Sequence, residues 1–121
     1  MLRTMKRVAV TGAAGHIGAN LVRELLARGY RVAVLVRKSD RALEGLDVER
    51  HNGDVLNPDS LCRAFAGAEQ VYHLAAHVTI QPSEWEILRS VNVEGTSNVL
   101  RACCHEGVST LVHFSSIHAL D

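Results

Sequence analysis

The residues with the plainest chemistry lie near the amino end, in KRVAVTGAAGHIG from Lys6 to Gly18, where glycines recur at positions 12, 15 and 18. Val8, Ala9 and Val10 form an apolar run too short for a helix and suited to a buried strand. The residues beyond the glycines follow a helical pattern. Three positions without a β-carbon at such a junction let the chain turn tightly, approach a ligand closely and pack a helix on the strand. The amides that open the helix near Gly15 have no partners within it and carry the positive end of its dipole, so a pyrophosphate is the fitting occupant. A strand, turn and helix with no ligand would use the same glycines, and the rest of the chain must separate the two readings.

Ile17, Leu21 and Leu25, joined by Val22 and Leu26, draw one apolar stripe along a helix from about Gly15 to Arg28, with Gly29 in the cap position. Arg31 to Val36 reads as a second buried strand, and a crossover helix between parallel strands makes a right-handed βαβ unit. The residue after that second strand chooses between dinucleotides. A carboxylate there accepts from a ribose 2′-hydroxyl, whereas a cation pairs with a 2′-phosphate. Arg37 and Lys38 stand at that point, which favours NADP; Asp40, two residues on, keeps NAD open, and a solvated strand end is the plain alternative.

Ser39 to Leu46 suits a short helix or loop, and Val48 to Asn52 a third strand. Asp54, just past it, is placed to accept from an adenine amino group while the Val55 amide reads the ring; as a plain turn or cap residue it would look the same. Pro58, Asp59 and Ser60 start a helix that carries Leu61, Ala64 and Phe65 to Gly67. Glu69 to Ala75 reads as a fourth strand, and Ala75 and Ala76 leave room for a cofactor across its end. His73, inside an apolar run, reads as a hydrogen-bonded core residue, and His77 carries no stronger claim. A long helix from about Ser83 to His105 puts Leu88, Asn92, Gly95, Val99 and Cys103 on one face, with Gly95 in contact with the sheet. Thr110 to Phe114 makes a fifth strand with Ser115 and Ser116 at its carboxyl end, the edge where open α/β sheets bind ligands.

The 121 residues are enough for one domain, with 47% hydrophobic content, and too few for two. Lys plus Arg and Asp plus Glu number 13 each, so no basic field draws in nucleic acid or anionic lipid. No apolar run approaches a membrane span, and a cytoplasmic protein with no membrane partner is expected. The three cysteines include the neighbours Cys103 and Cys104, a poor disulfide pair, so reduced thiols are expected, with Cys62 and Cys103 in the core. The seven histidines have no cysteine or carboxylate partner at a recognised metal spacing, and no metal site is expected.

TGAAGHIG resembles the cofactor loop of the short-chain dehydrogenase/reductases. Together with GDV, HLAA, VNVEGT and FSSIHAL in order, it makes nearly the whole chain resemble the extended branch, the NAD-dependent epimerase/dehydratase family. The resemblance implies a Rossmann-type, doubly wound α/β fold with a parallel sheet ordered 3-2-1-4-5. It places the phosphate loop at Gly12, Gly15, His16, Ile17 and Gly18, the adenine contact at Asp54 and Val55, and the segment beside the cofactor at Leu74, Ala75 and Ala76. Asn92 matches the helix asparagine that helps order the site, and Ser116, rather than Ser115, the serine that polarises the substrate oxygen.

The family's tyrosine with a lysine four residues later, its general acid/base, has no counterpart: Tyr30 is followed at the fourth position by Val34, and Tyr72 by Ala76. The expectation is therefore the amino-terminal, cofactor-binding portion of a longer hydride-transfer enzyme that acts on a sugar nucleotide or a reductase-type ketone, truncated after the fifth strand and inactive alone. A non-catalytic NADP sensor and an interaction module remain the other readings. Leu111, Val112 and Phe114 would then form an exposed apolar edge prone to self-association, so a homodimer stays open and one formed by this chain alone would be suspect.

Overall fold

The computed structural model describes residues 6–77 and 81–115. Five strands, β1 (Arg7–Thr11), β2 (Arg31–Val36), β3 (Glu49–Asn52), β4 (Gln70–His73) and β5 (Thr110–His113), form one sheet in the order β3-β2-β1-β4-β5, every pair parallel. The order and number match the expectation. The inner strands β1, β2 and β4 are short and largely buried because helices cover both faces, whereas the outer strands β3 and β5 are mostly exposed. α1 (His16–Ala27) packs on Val8, Val10, Val32 and Val34 through Ala19, Val22 and Leu25. On the other face α2 (Pro58–Phe65) and α4 (Gly95–Glu106) enclose Ala9, Ala33, Leu35 and Val71 with Leu61, Phe65, Val99 and Cys103. Cys103 is buried, Cys62 packs at the margin of this second core, and all three cysteines are free thiols. Ser39 to Leu46 holds a single 3₁₀ turn, Arg41–Leu43, tied to α1 by the Arg23 guanidinium on the Ala42 carbonyl at 3.2 Å.

α2 starts where the sequence places it. The Asn57 side chain accepts from the Ser60 amide at 3.3 Å, and Pro58 occupies the first helical position, whose amide needs no partner. The segment predicted as one helix from Ser83 to His105 is instead a 3₁₀ turn at Pro82–Glu84, α3 (Trp85–Arg89), a π turn at Ser90–Glu94 and then α4. A π turn holds one extra residue, so it changes which side chains face the sheet beyond it, and such turns gather at functional sites. Leu88 and Asn92 are half-buried, and Gly95, Val99 and Cys103 are buried, so the predicted face survives the interruption. Gly95 abuts Val55 in the loop after β3 rather than a strand: a β-carbon there would stand 2.7 Å from Val55 Cγ2. β3 and β5 are the two sheet edges; Val112 in β5 and Phe114 just beyond it are exposed as expected, whereas Leu111 is partly buried against the second core instead of joining the exposed edge. Among the described residues no helix is long and apolar enough to cross a membrane.

Candidate functional site

At the carboxyl end of the sheet the loops after β1, β2, β3 and β4 enclose an open cavity of about 460 Å³. Gly12, Ala13, Ala14 and Gly15 form one wall, Arg37, Lys38 and Ser39 a second, Asp54 and Val55 a third, and Leu74, Ala75, Ala76 and His77 a fourth. Parallel strands with crossovers to opposite faces open such a crevice where the strand order reverses, here between β1 and β4. The size suits a small-molecule or cofactor site.

The three loop glycines do different work. Gly12 has φ +71°, and a β-carbon on it would lie 2.6 Å from the Ala75 amide nitrogen. Gly18 is buried against the turn, and its β-carbon would come 2.1 Å from the Gly12 carbonyl oxygen. Gly15 is exposed and extended at φ −75°, and the nearest atom to an added β-carbon is 3.4 Å away. Packing requires the first and third glycines but not the second. Gly15 caps α1 without a side-chain hydrogen bond, so the amides of His16, Ile17 and Gly18 open the helix with no side chain to meet them. Neither His16 nor Ile17 is covered by protein, and Ile17 is 60% exposed.

Arg37 and Lys38 reach the cavity wall as exposed side chains. Asp40 does not line it; its carboxylate accepts from Arg50 Nε at 2.6 Å. Asp54 Oδ1 accepts from the Leu56 amide at 2.9 Å, the turn role its position allowed, while the residue still borders the cavity. Its loop is fixed from below by the buried Ser60 hydroxyl, which accepts from the Asp54 amide at 3.1 Å. The Asn98 side chain adds a bond to the Val55 carbonyl at 3.0 Å.

Asn92 lies outside the cavity and acts on its wall. Its Oδ1 accepts from the His77 amide at 2.8 Å, and its Nδ2 donates to the His77 carbonyl at 2.9 Å. His77 Nε2 sits 3.4 Å from Glu84 Oε1. Ser116 lies outside the described residues; Ser115, two residues beyond β5, is exposed.

Sequence reasoning put His73 in the core, and it is 1% exposed there. It missed the partners: Thr11 Oγ1 at 2.6 Å from Nδ1 and Thr96 Oγ1 at 3.1 Å from Nε2. Burial, helped by the stacked ring of His113, pushes the His73 pKa down to about 4. Ser39 and Val91 also border the cavity without having been singled out as contacts; adjacency to Arg37 and Lys38 was the available signal for Ser39. Away from the cavity, folding brings Cys62 of α2 together with His105 and Glu106 of α4, ligand atoms within 4.8 Å of one another, a grouping that spacing along the chain does not display. His105 Nδ1 and Glu106 Oε2 already bond each other at 2.7 Å.

Comparison with known proteins agrees with this geometry. The model of the NAD dependent epimerase/dehydratase family matches residues 8–120. Sterol demethylase protein B of Methylococcus capsulatus is 45% identical over 113 residues, which cover 92% of this chain and 34% of that protein. Cinnamoyl-CoA reductase 1 of rice is 42% identical over 122 aligned residues, covering 93% of this chain and 35% of the reductase. Among solved structures, a short-chain dehydrogenase/reductase superfamily protein from Agrobacterium tumefaciens with bound NAD superposes with a TM-score of 0.82 at 31% identity, over 92% of this chain and 33% of that one. The chain spans about a third of the length of these relatives. It belongs to the NAD-dependent epimerase/dehydratase family.

Proposed function

From that membership we propose that the chain is the NADP-binding portion of an enzyme that moves hydride between a nicotinamide and a carbonyl or hydroxyl carbon, on the reductase side of the family. Gly15 carries the reading. Its backbone is one that any residue adopts and the protein leaves room for a β-carbon, so the missing side chain serves something that lies against the loop. The amides of His16, Ile17 and Gly18 offer a pyrophosphate their unpaired hydrogens and the positive end of α1. Arg37 and Lys38 supply cations where a ribose 2′-phosphate would sit, while the Asp40 carboxylate, which could favour a 2′-hydroxyl, is engaged by Arg50.

Asp54 and the Val55 amide border the adenine end, and Leu74, Ala75 and Ala76 form the wall along which the remainder of the dinucleotide extends. The nicotinamide supplies the hydride when bound. Ser116 orients the substrate oxygen, by the family resemblance. Within 121 residues no tyrosine is followed at the fourth position by lysine, so the chain alone binds cofactor without turnover; the same fact keeps a non-catalytic NADP-binding module as the second reading.

Arg37→Ala is expected to weaken NADPH binding about tenfold or more and NADH binding by less than threefold, read as dissociation constants by titration calorimetry at fixed salt. Equal losses for the two nucleotides would remove the NADP assignment. A chain that binds neither would remove the function.

A further inference from the structure

Thr11, His73 and Thr96 form a buried chain of hydrogen bonds whose direction can be read from its ends. Thr96 Oγ1 lies 2.8 Å from the Asn92 carbonyl, which can only accept, so the Thr96 hydroxyl proton points there. The Thr96 oxygen is then left to accept from His73 Nε2 at 3.1 Å, which places the ring proton on Nε2. Nδ1 consequently has a lone pair and accepts the Thr11 hydroxyl proton at 2.6 Å. The two lone pairs of the Thr11 oxygen take the amides of Leu74 at 3.2 Å and Ala75 at 3.1 Å. The Leu74 amide also reaches the Thr11 carbonyl at 3.1 Å, whereas the Ala75 amide is met by Thr11 Oγ1.

We propose that His73 is a positioning residue for the bound dinucleotide: through Thr11 it fixes the Leu74–Ala75 backbone that walls the cavity. The inference rests on the cofactor reading above. The same chain of bonds ends at Asn92, whose side-chain amide clasps His77, so the segment 74–77 is held at both ends by one connected set of partners. The glycine loop depends on that segment directly, because the Gly12 α-carbon faces the Ala75 amide with no room for a methyl group. Any shift of Ala75 therefore moves the wall and the turn together. An apolar residue in place of His73 would fill the core but leave the Thr11 hydroxyl proton with nowhere to go.

Four variants of the 121-residue chain test this: His73→Leu, His73→Asn, Thr11→Val and Thr11→Ser. Asparagine keeps an acceptor near the position of Nδ1 and gives up the bond to Thr96, which still donates to Asn92. Expected is a loss of NADPH affinity of about tenfold in His73→Leu and Thr11→Val, with His73→Asn and Thr11→Ser within about threefold of the parent. The Ala75 amide should exchange with deuterium faster by a similar factor in the first pair and not in the second, measured without nucleotide. Unchanged Ala75 protection in His73→Leu would overturn the proposal, as would affinities that follow melting temperature alone across all four. A parent chain that binds no nucleotide would sink the functional reading, while the exchange rates would still decide whether His73 holds the wall.

Discussion

At the carboxyl end of the sheet β1 and β4 are fastened through Thr11 and His73, buried and uncharged; at the amino end β1 and β3 are fastened through Arg7 and Glu49, charged and partly wet. Arg7 reaches across β2, pairs with both oxygens of the Glu49 carboxylate, and donates from Nε to the Ala66 carbonyl at the end of α2 at 2.9 Å. His51 adds a contact to Glu49 at 2.8 Å. The difference follows from what each end must do. A site that takes an anion through backbone amides and two exposed cations needs a neutral foundation, because a further buried charge would compete in a low-dielectric setting. The amino end binds nothing in the proposed function, and water screens its ion pairs.

If the carboxyl end is built for a ligand and the amino end only for the fold, the glycines should divide accordingly. Gly18→Ala forces a methyl group onto the Gly12 carbonyl and is expected to cost about 3 kcal/mol or more in denaturant unfolding, with loss of nucleotide binding. Gly15→Ala meets only a 3.4 Å neighbour and should cost about 1 kcal/mol or less, yet weaken NADPH at least tenfold. A Gly15→Ala chain that binds as the parent does would break the comparison at its functional end.

His73 gives the next largest effect. The unfolded chain takes up a proton near pH 6.5 that the folded chain refuses until about pH 4, so stability is complete above 6.5 and falls as the pH drops through that window. The separation corresponds to about 3 kcal/mol, and urea midpoints between pH 7 and 4 should show it in the parent and lose it in His73→Asn. A slope of the same size in that variant would assign the effect elsewhere.

The sequence made the strands, the first helix and the cavity walls readable because each depends on a local pattern: apolar runs bounded by charge, a stripe every three to four residues, glycines at a turn. Strand β3 shows the limit, since ERHN carries no apolar alternation and its place came only from the turn residues around it. The π turn left no mark because Ser90–Glu94 contains no glycine or proline to signal an interruption and only its hydrogen-bond spacing changes. The Thr11–His73 bond was hidden for another reason. It joins residues 62 apart that the β1–β4 register sets side by side, and no periodicity along one element encodes a register between two. The Arg50–Asp40 pair was hidden on the same ground, since Arg50 meets Asp40 only once β3 is laid beside β2.

The smallest effect belongs to the amino end and separates the two ends by their response to pH and salt. The Arg7 guanidinium, with His51 beside it, holds the Glu49 carboxyl down at about 2 from an ordinary value of 4.5, so its contribution is present above pH 4.5 and lost as the pH falls toward 2. With the Glu49 side chain 44% exposed, screening reduces that contribution to below about 1 kcal/mol, and added salt should reduce it further. Raising the salt from low to about one molar should therefore leave the step between pH 6.5 and 4 in place, because His73 is shielded by protein, and shrink the one below 4.5. Arg7→Ala should remove the lower step alone. If salt instead erased the upper step, charge at the surface rather than burial of a neutral histidine would be holding the carboxyl end together.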